Sequence, residues 1–555
     1  MAEDLSSGAN QAGDDSSASQ GSPLREDVLA TSAEYESKQD YLQGMRLRLI
    51  TAAICMAMFL SNLEIPVVTT ALVGISDDLG GFKKASWVST SYLLGYAGFI
   101  IIFAKMSDVF GRKSLLLITT LTFAIFSGAC GAAQTMDQLI IFRALQGIGG
   151  SGDYALCTLI VLDLVPSHKY AKYSSTISIV YAISLCVGPI IGGAITQKST
   201  WRWIFLLNVP PAALAVLVLI LSMPTGFPYH HRARQDRPNS KGIFSQESLQ
   251  RLDFLGTSLL LITNVLLVAA LEEAGGLFEW RSAYVITLLV IAGLSWITFL
   301  LWERHITIQG KSQEPVFPWR FAQSRVFVGI LLCSIFLGAP WISAMFQLPQ
   351  RLQVTNALSP IDAGVRVIPF SLAAPVGSVI SSSLANGAKI PPVYMIIFAA
   401  VLQVIGFALL STLPFSHSVP ASQYGYQVIA GFGCGINISM LILLTPFCVQ
   451  QRDKSVAMGS VAQYRILGGC LGLAIVTTAF NGLVRGGLDD ILPASQVDDL
   501  LTSPASVSTF PGNLQGEIRS VFADGYNLQM KILAGLAAGQ IPSGLLMWQK
   551  QQIVT

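Results

Sequence analysis

Residues 86–133 read SWVSTSYLLGYAGFIIIFAKMSDVFGRKSLLLITTLTFAIFSGACGAA. Two apolar runs, 86–104 and 114–133, flank a short polar string, Ala104-Lys-Met-Ser-Asp-Val-Phe-Gly-Arg-Lys113. Each run is long enough to cross a ~30 Å hydrocarbon layer as a helix, and lipid offers the backbone no other way to satisfy its polar groups. The same pattern recurs at 47–72, 139–163, 173–196, 203–223, 254–271, 283–302, 326–347, 362–385, 390–412, 424–449, 456–481 and 527–548. Fourteen spans of about 20 residues would occupy about 280 residues, half the chain. That agrees with a composition that is 52% hydrophobic over 555 residues. Charged residues make up 12%, against about a quarter in soluble domains. The mean hydropathy is +0.58. The expected fold class is therefore an all-α polytopic membrane protein with fourteen transmembrane helices.

Charge and cysteines remove several alternatives. A formal net charge of +2 excludes nucleic-acid binding driven by bulk charge. The eight cysteines, at 55, 130, 157, 186, 333, 434, 448 and 470, all fall in apolar blocks with no C-x-x-C spacing. They read as small packing residues rather than as a disulfide or metal framework. The first 45 residues are polar, with no apolar core of a signal peptide, and read as a disordered tail. The sequon Asn437-Ile-Ser439 lies inside a span. Gly310-Lys311-Ser312 has His305 where a phosphate loop needs its first glycine, so ATP hydrolysis is not expected. No span holds a nucleophile–base cluster, which argues against an enzyme.

An even number of spans puts both termini on one side. With the N-terminus inside, 22 Lys/Arg residues fall on inner segments, 8 on outer loops and 4 within spans. The positive-inside rule then places both ends in the cytoplasm. Residues 1–45 form a cytoplasmic tail and 46–223 an N-terminal six-helix bundle. A basic connector, 224–253, carries Arg232, Arg234, Arg237, Lys241 and Arg251. An inserted helix pair, 254–302, and a connector, 303–325, precede a C-terminal bundle over 326–548 and a tail over 549–555. The acidic outer loop 482–525 reads as a solvated linker rather than a lid. The string Ser383–Lys389 echoes Ala104–Lys113 at the same point of the second half, as a duplicated transporter would.

Intramembrane charge is scarce. The five histidines (His168, His230, His231, His305, His417) read as loop residues, so proton chemistry within the membrane falls to carboxylates. Glu64 lies about 15 residues into the first span, ~8 Å from its outer end, and Arg143 lies ~6 Å from the outer end of the fourth. The two are at similar depth. Arg143, Gln146, Gly150 and Asp153 are spaced i, i+3, i+7, i+10 and form one polar stripe, expected to line a cavity because unpaired buried charge is costly. A static Glu64–Arg143 tie between helices and a proton-coupling role both remain open, as they do for Asp153. In the inner turn, Gly111 permits a tight reversal, and Asp108, Arg112 and Lys113 are placed to pin helix ends. Gly188-Pro189-Ile-Ile-Gly192-Gly193 in the fifth span allows a kink and close helix approach.

Together these strings resemble the major facilitator superfamily, and within it the fourteen-span drug:proton antiporters of fungal type. Ala104–Lys113 is similar to the superfamily's inner-loop signature, with Ala104 where Gly is usual. LIIFRALQGIGG (139–150) resembles the fourth-span signature, with Arg143 at its arginine, and 188–193 resembles the antiporter signature of exporters. WRWIFLLNVP (201–210) and Arg465-Ile-Leu-Gly-Gly469 resemble further strings of the subfamily. Two departures stand out: the first span reads Leu63-Glu64-Ile-Pro66, where L-D-x-T is usual, and Asp153 replaces an apolar residue.

The resemblance implies two six-helix bundles plus two extra central helices. It implies a proton-coupled exporter of small, largely apolar organic compounds, working by alternating access with no cofactor beyond the proton gradient. Glu64, Arg143 and Asp153 would then serve proton coupling. Asp108, Gly111, Arg112, Lys113, Gly188, Pro189, Gly192 and Gly193 would serve gating, and Gln146, Gly150 and Arg465 would line the substrate cavity. The expected partners are an apolar organic substrate, protons and the lipid bilayer; no metal or nucleic acid is expected, and the chain reads as a monomer. The plasma membrane is the expected location, with a vacuolar membrane as the alternative. A vacuolar carrier of basic amino acids and a non-transporting sensor remain the competing functions.

Overall fold

The computed structural model describes residues 41–553 except 70, 72–74, 76–77, 80–84, 229–252, 275–277, 310–312, 314, 417, 490, 494–495, 498–499, 502–506 and 508–509. Most of the tail 1–45 and the five basic residues named for the 224–253 connector lie outside the described residues.

Among the described residues, fourteen long helices follow one another. The first half holds α1 (Gly44–Thr69), α2 (Ala85–Phe110), α3 (Arg112–Ala132), α4 (Met136–Asp163), α5 (Tyr170–Lys198) and α6 (Val209–Ser222). A short helix, Arg202–Leu206, leads into α6. Then come α7 (Phe254–Glu273) and α8 (Ala283–Gln309). The second half holds α9 (Arg325–Asn356), α10 (Ile368–Gly387), α11 (Pro392–Leu410), α12 (Ser422–Leu444), α13 (Lys454–Leu488) and α14 (Gly512–Ala538). Side chains supply several starts: Thr135 accepts from the Gln138 amide, Asp253 from Gly256 and Ser324 from Phe327. Twelve of the described helices are long and apolar enough to cross a membrane. Helices α4, with Asp137, Arg143, Asp153 and Asp163, and α14, with Glu517, Arg519, Asp524 and Lys531, fall outside those twelve.

The two halves repeat one packing scheme. In the first, α4 packs on α2 and α3, α1 on α5 and α6, and α3 on α6. In the second, α12 packs on α10 and α11, α9 on α13 and α14, and α11 on α14. Each pair is the other shifted by eight helices, the number made up by six plus the α7–α8 pair. The halves meet along α5–α10 and α2–α13. Helix α7 lies against α2 and α13 at that seam, with α8 outside it. On α8, Ile286, Val290, Leu294, Ile297 and Leu301 form an exposed apolar stripe, which suits a helix facing lipid.

Three expectations change. The eighth helix runs past 302 to Gln309, so His305 sits on its last turns rather than in a loop. The segment 482–525 is not a solvated linker throughout. Helix α13 extends to Leu488, α14 begins at Gly512, and Leu492, Val497, Leu500 and Val507 between them are buried against Val484, Ile518 and Phe522. Apolar residues spaced singly through an acidic, proline-containing stretch gave no span-length run, yet they suffice for a small core. The third change, to the polar stripe of α4, belongs to the site below.

Candidate functional site

Glu64 is fully buried on α1, and Arg143 on α4 is 1% exposed. Their side chains form an ion pair, with Arg143 Nη1 2.6 Å from Glu64 Oε1. The other carboxylate oxygen accepts from Asn208 Nδ2 at 2.5 Å, just before α6. Arg143 Nη1 also donates to Gln146 Oε1 at 2.9 Å, and Nε donates to the Val88 carbonyl of α2 at 3.0 Å. Ser127 of α3 closes the network, accepting from Gln146 Nε2 at 3.0 Å and from Asn208 Nδ2 at 3.1 Å. The Tyr92 ring lies 4.3 Å from the guanidinium carbon. Four helices and Asn208, at the start of α6, thus contribute to one buried, hydrogen-bonded charge pair. Such pairs are sustained only where nearly every donor and acceptor is matched, because desolvating each ion costs several kcal/mol. Gly147 makes the approach of α4 possible: a Cβ there would collide with the Tyr92 carbonyl of α2.

The α4 stripe divides. At about 100° per residue, i, i+3, i+7 and i+10 spread over roughly 80° of the helix surface, and α4 is wedged between α2 and α3. Arg143 and Gly150 therefore face α1 and α2, where a Cβ on Gly150 would meet the Tyr92 hydroxyl at 2.5 Å. Asp153 turns to α3, accepting from Thr119 at 2.9 Å and Thr120 at 2.7 Å. The four residues do not line one cavity, and Asp153 does not join the Glu64 network through any of these bonds. Gln146 and Gly150, expected in a substrate cavity, are packed inside the first half.

Only Arg465 of those three stands at the seam. It is 1% exposed on α13 and donates through Nη2 to the Tyr154 hydroxyl of α4. Its guanidinium lies 5.4 Å from the Tyr181 ring and 5.7 Å from that of Tyr154. The aromatic series continues across the seam, Tyr181 to Trp341 at 6.3 Å and Trp341 to Phe370 at 5.4 Å.

At the Gly111 end the halves are tied by charge. Gly111 has φ 90°, a conformation L side chains rarely adopt, and it starts α3 so that Arg112 points back. Arg112 binds Asp108 at 2.6 Å, Asp163 at 3.2 Å and Ser455 of α13 at 2.8 Å. Asp163 also meets Lys454 Nζ at 3.0 Å, and Lys454 donates to Tyr170 at 3.0 Å. Ser455 donates to Asp108 at 2.6 Å. Lys113 does something different, donating to the carbonyls of Ile220 and Met223 at the end of α6.

The glycine string of α5 lies against two helices. A Cβ on Gly188 would come 3.0 Å from the Cβ of Pro66, so that glycine accommodates the proline on α1. A Cβ on Gly193 would meet Ile361 at 3.3 Å, and Pro189 lies near Gly364. The helix runs unbroken through Pro189, and Gly192 accepts a hydrogen bond from Thr196 at 2.7 Å.

The sequence profile of the Major Facilitator Superfamily matches residues 50–272. The MFS-type transporter FPY5 of Fusarium mangiferae is 39% identical over 526 residues, covering 95% of this chain and 87% of that protein. The chain belongs to the major facilitator superfamily. It is a multi-pass transporter of that superfamily, a secondary transporter and not an enzyme. Multidrug resistance protein 3 of Bacillus subtilis (strain 168) is 29% identical over 444 residues, covering 80% of this chain and 81% of the relative. Among solved structures, a bacterial homolog of the human lysosomal transporter Spinster, inward-facing and unoccupied, aligns with a TM-score of 0.56 at 14% identity, covering 92% of this chain and 100% of that one. That likeness shows the superfamily fold.

Sequence reasoning passed over Asn208, although it quoted the string around it, and Asp163, Lys454, Ser455, Tyr154 and Tyr181. A polar residue within an apolar run was a signal for Asn208. The pairing of Asp163 with Lys454, 291 positions apart, left none.

Proposed function

We propose that this facilitator-superfamily transporter is a proton-driven exporter of small, largely apolar organic compounds, at the plasma membrane, with both termini cytoplasmic, working as a monomer. The observation that carries the proton coupling is the buried Glu64–Arg143 pair with Asn208 on the second carboxylate oxygen. A proton arriving on Glu64 removes the negative charge that both Arg143 and Asn208 bind. Four helices and the start of α6 are tied into that network, so neutralising its centre changes the relative stability of two arrangements of the first half. The charged tie at the Gly111 end exists only while α13 lies against α2 and α4, so it holds the transporter closed on that face and is broken when the face opens. The multidrug resistance relative supports a drug-like organic cargo. Asp153, the residue that would favour a carrier of basic amino acids, faces Thr119 and Thr120 and so lends that reading no support.

The test is transport in reconstituted vesicles, together with growth inhibition by a compound panel in cells lacking and overproducing the protein. Cargo accumulation should follow an imposed pH gradient and collapse when the gradient is dissipated. Equal flux with and without the gradient would overturn the proposal.

A further inference from the structure

Arg465 is a buried cation with no counter-ion among the described residues. Among the described residues no carboxylate lies within ion-pair distance of it. Its Nη2 meets Tyr154, but Nε and Nη1 have no hydrogen-bond partner among the described residues. The buried acids of the first half are engaged elsewhere, Glu64 by Arg143 and Asn208, Asp153 by Thr119 and Thr120, and Asp163 by Arg112 and Lys454. A guanidinium removed from water with two donor nitrogens unmet is unfavourable as it stands, because buried charge is retained where something pairs with it. A structural role would be served by an aromatic or apolar residue at this position without that penalty. The surroundings are also specific. Arg465 lies on the seam between halves, beside Tyr154 and Tyr181, with Trp341 and Phe370 continuing the aromatic wall from the other half.

We propose that Arg465 anchors the acidic group of the cargo, so that the preferred substrates are organic anions: a carboxylate or phenolate carried on a flat apolar body. The anion takes the unmet donors of Arg465, and the body lies among Tyr181, Trp341 and Phe370. This deepens the export reading and rests on it. Charge-assisted hydrogen bonds are about twice as strong as neutral ones, so the acidic group sets the affinity order among compounds of one shape.

Three probes of the same shape decide it: 2-naphthoate, 2-naphthalenemethanol and 2-naphthylmethylammonium, titrated calorimetrically at neutral pH into the full-length protein in lipid nanodiscs. The expected result is naphthoate bound at least tenfold more tightly than the alcohol, with the ammonium weakest. Arg465→Gln should bring the naphthoate affinity to within about twofold of the alcohol's in the same variant, and Arg465→Lys should keep part of the advantage. Affinities within twofold of one another in the unaltered protein, no measurable naphthoate binding, or an advantage that survives Arg465→Gln would each overturn the proposal. The three-probe comparison needs no variant, so it decides the matter even if Arg465→Gln does not fold. Gradient-driven export of the neutral probe without any acid preference would sink this inference and leave the export reading standing. An acid preference with no gradient-driven flux of any probe would do the reverse.

Discussion

Lys454→Met removes one cation from the charged tie while keeping a side chain of similar length. In the closed arrangement Lys454 is 4% exposed and 3.0 Å from both Asp163 Oδ1 and the Tyr170 hydroxyl. Breaking a buried pair outright costs about 3–5 kcal/mol, but Asp163 keeps Arg112 at 3.2 Å, so the loss falls nearer that of one charged hydrogen bond, about 2 kcal/mol. The contact is absent once α13 leaves α4, so the whole loss appears in the equilibrium between closed and open forms at this end, a shift of roughly 30-fold. Lys169 and Arg452 are exposed on either side of this seam and take spin labels after substitution to Cys, on a background without reactive native cysteines. Electron–electron distance measurements should show a longer separation growing at the expense of the closed one. Lys454→Arg should stay close to the unaltered protein, and Asp163→Asn combined with Lys454→Met should cost less than the two singly. An unchanged distance distribution in folded Lys454→Met protein would refute the idea that this tie sets the equilibrium.

Gly111→Ala forces φ 90° on a residue with a Cβ, which costs about 1–2 kcal/mol; thermal unfolding in detergent should show a lower midpoint than for Ala substitutions elsewhere in that turn. Gly188→Val presses a branched side chain onto Pro66 and Val67; insertion into the membrane should be normal by surface labelling, and transport should fall at least tenfold. Asn208→Ala leaves Glu64 Oε2 without its 2.5 Å donor, so the pH profile of vesicle transport should move while cargo affinity at a fixed pH stays within about twofold.

Much of this is legible in the amino-acid sequence. Span lengths located most of the helices, although the last expected span, 527–548, is a helix over Gly512–Ala538 followed by a short one over Gln540–Leu546; matching the depths of Glu64 and Arg143 brought together two residues that do form a pair at 2.6 Å. The glycine at 111 announced a turn that needs its positive φ. What stayed hidden has physical reasons. Depth along a helix can be counted, but rotation about it depends on neighbours, so one stripe on α4 was expected to share a cavity when α2 and α3 divide it. Asp163 and Lys454 look like ordinary charges at helix ends until a fold places them together. Arg465 could be picked out by its position in a span, whereas its lack of a carboxylate partner is visible only when everything around it has been placed.

The coupling claim is tested most directly by Glu64→Gln in reconstituted vesicles, measuring cargo exchange at equal pH and cargo accumulation under an imposed pH gradient side by side. The amide keeps the shape and the Arg143 contact but cannot take up and release a proton at working pH. Exchange should persist while gradient-driven accumulation vanishes. Accumulation that still follows the gradient in the variant would place the proton elsewhere and contradict the account.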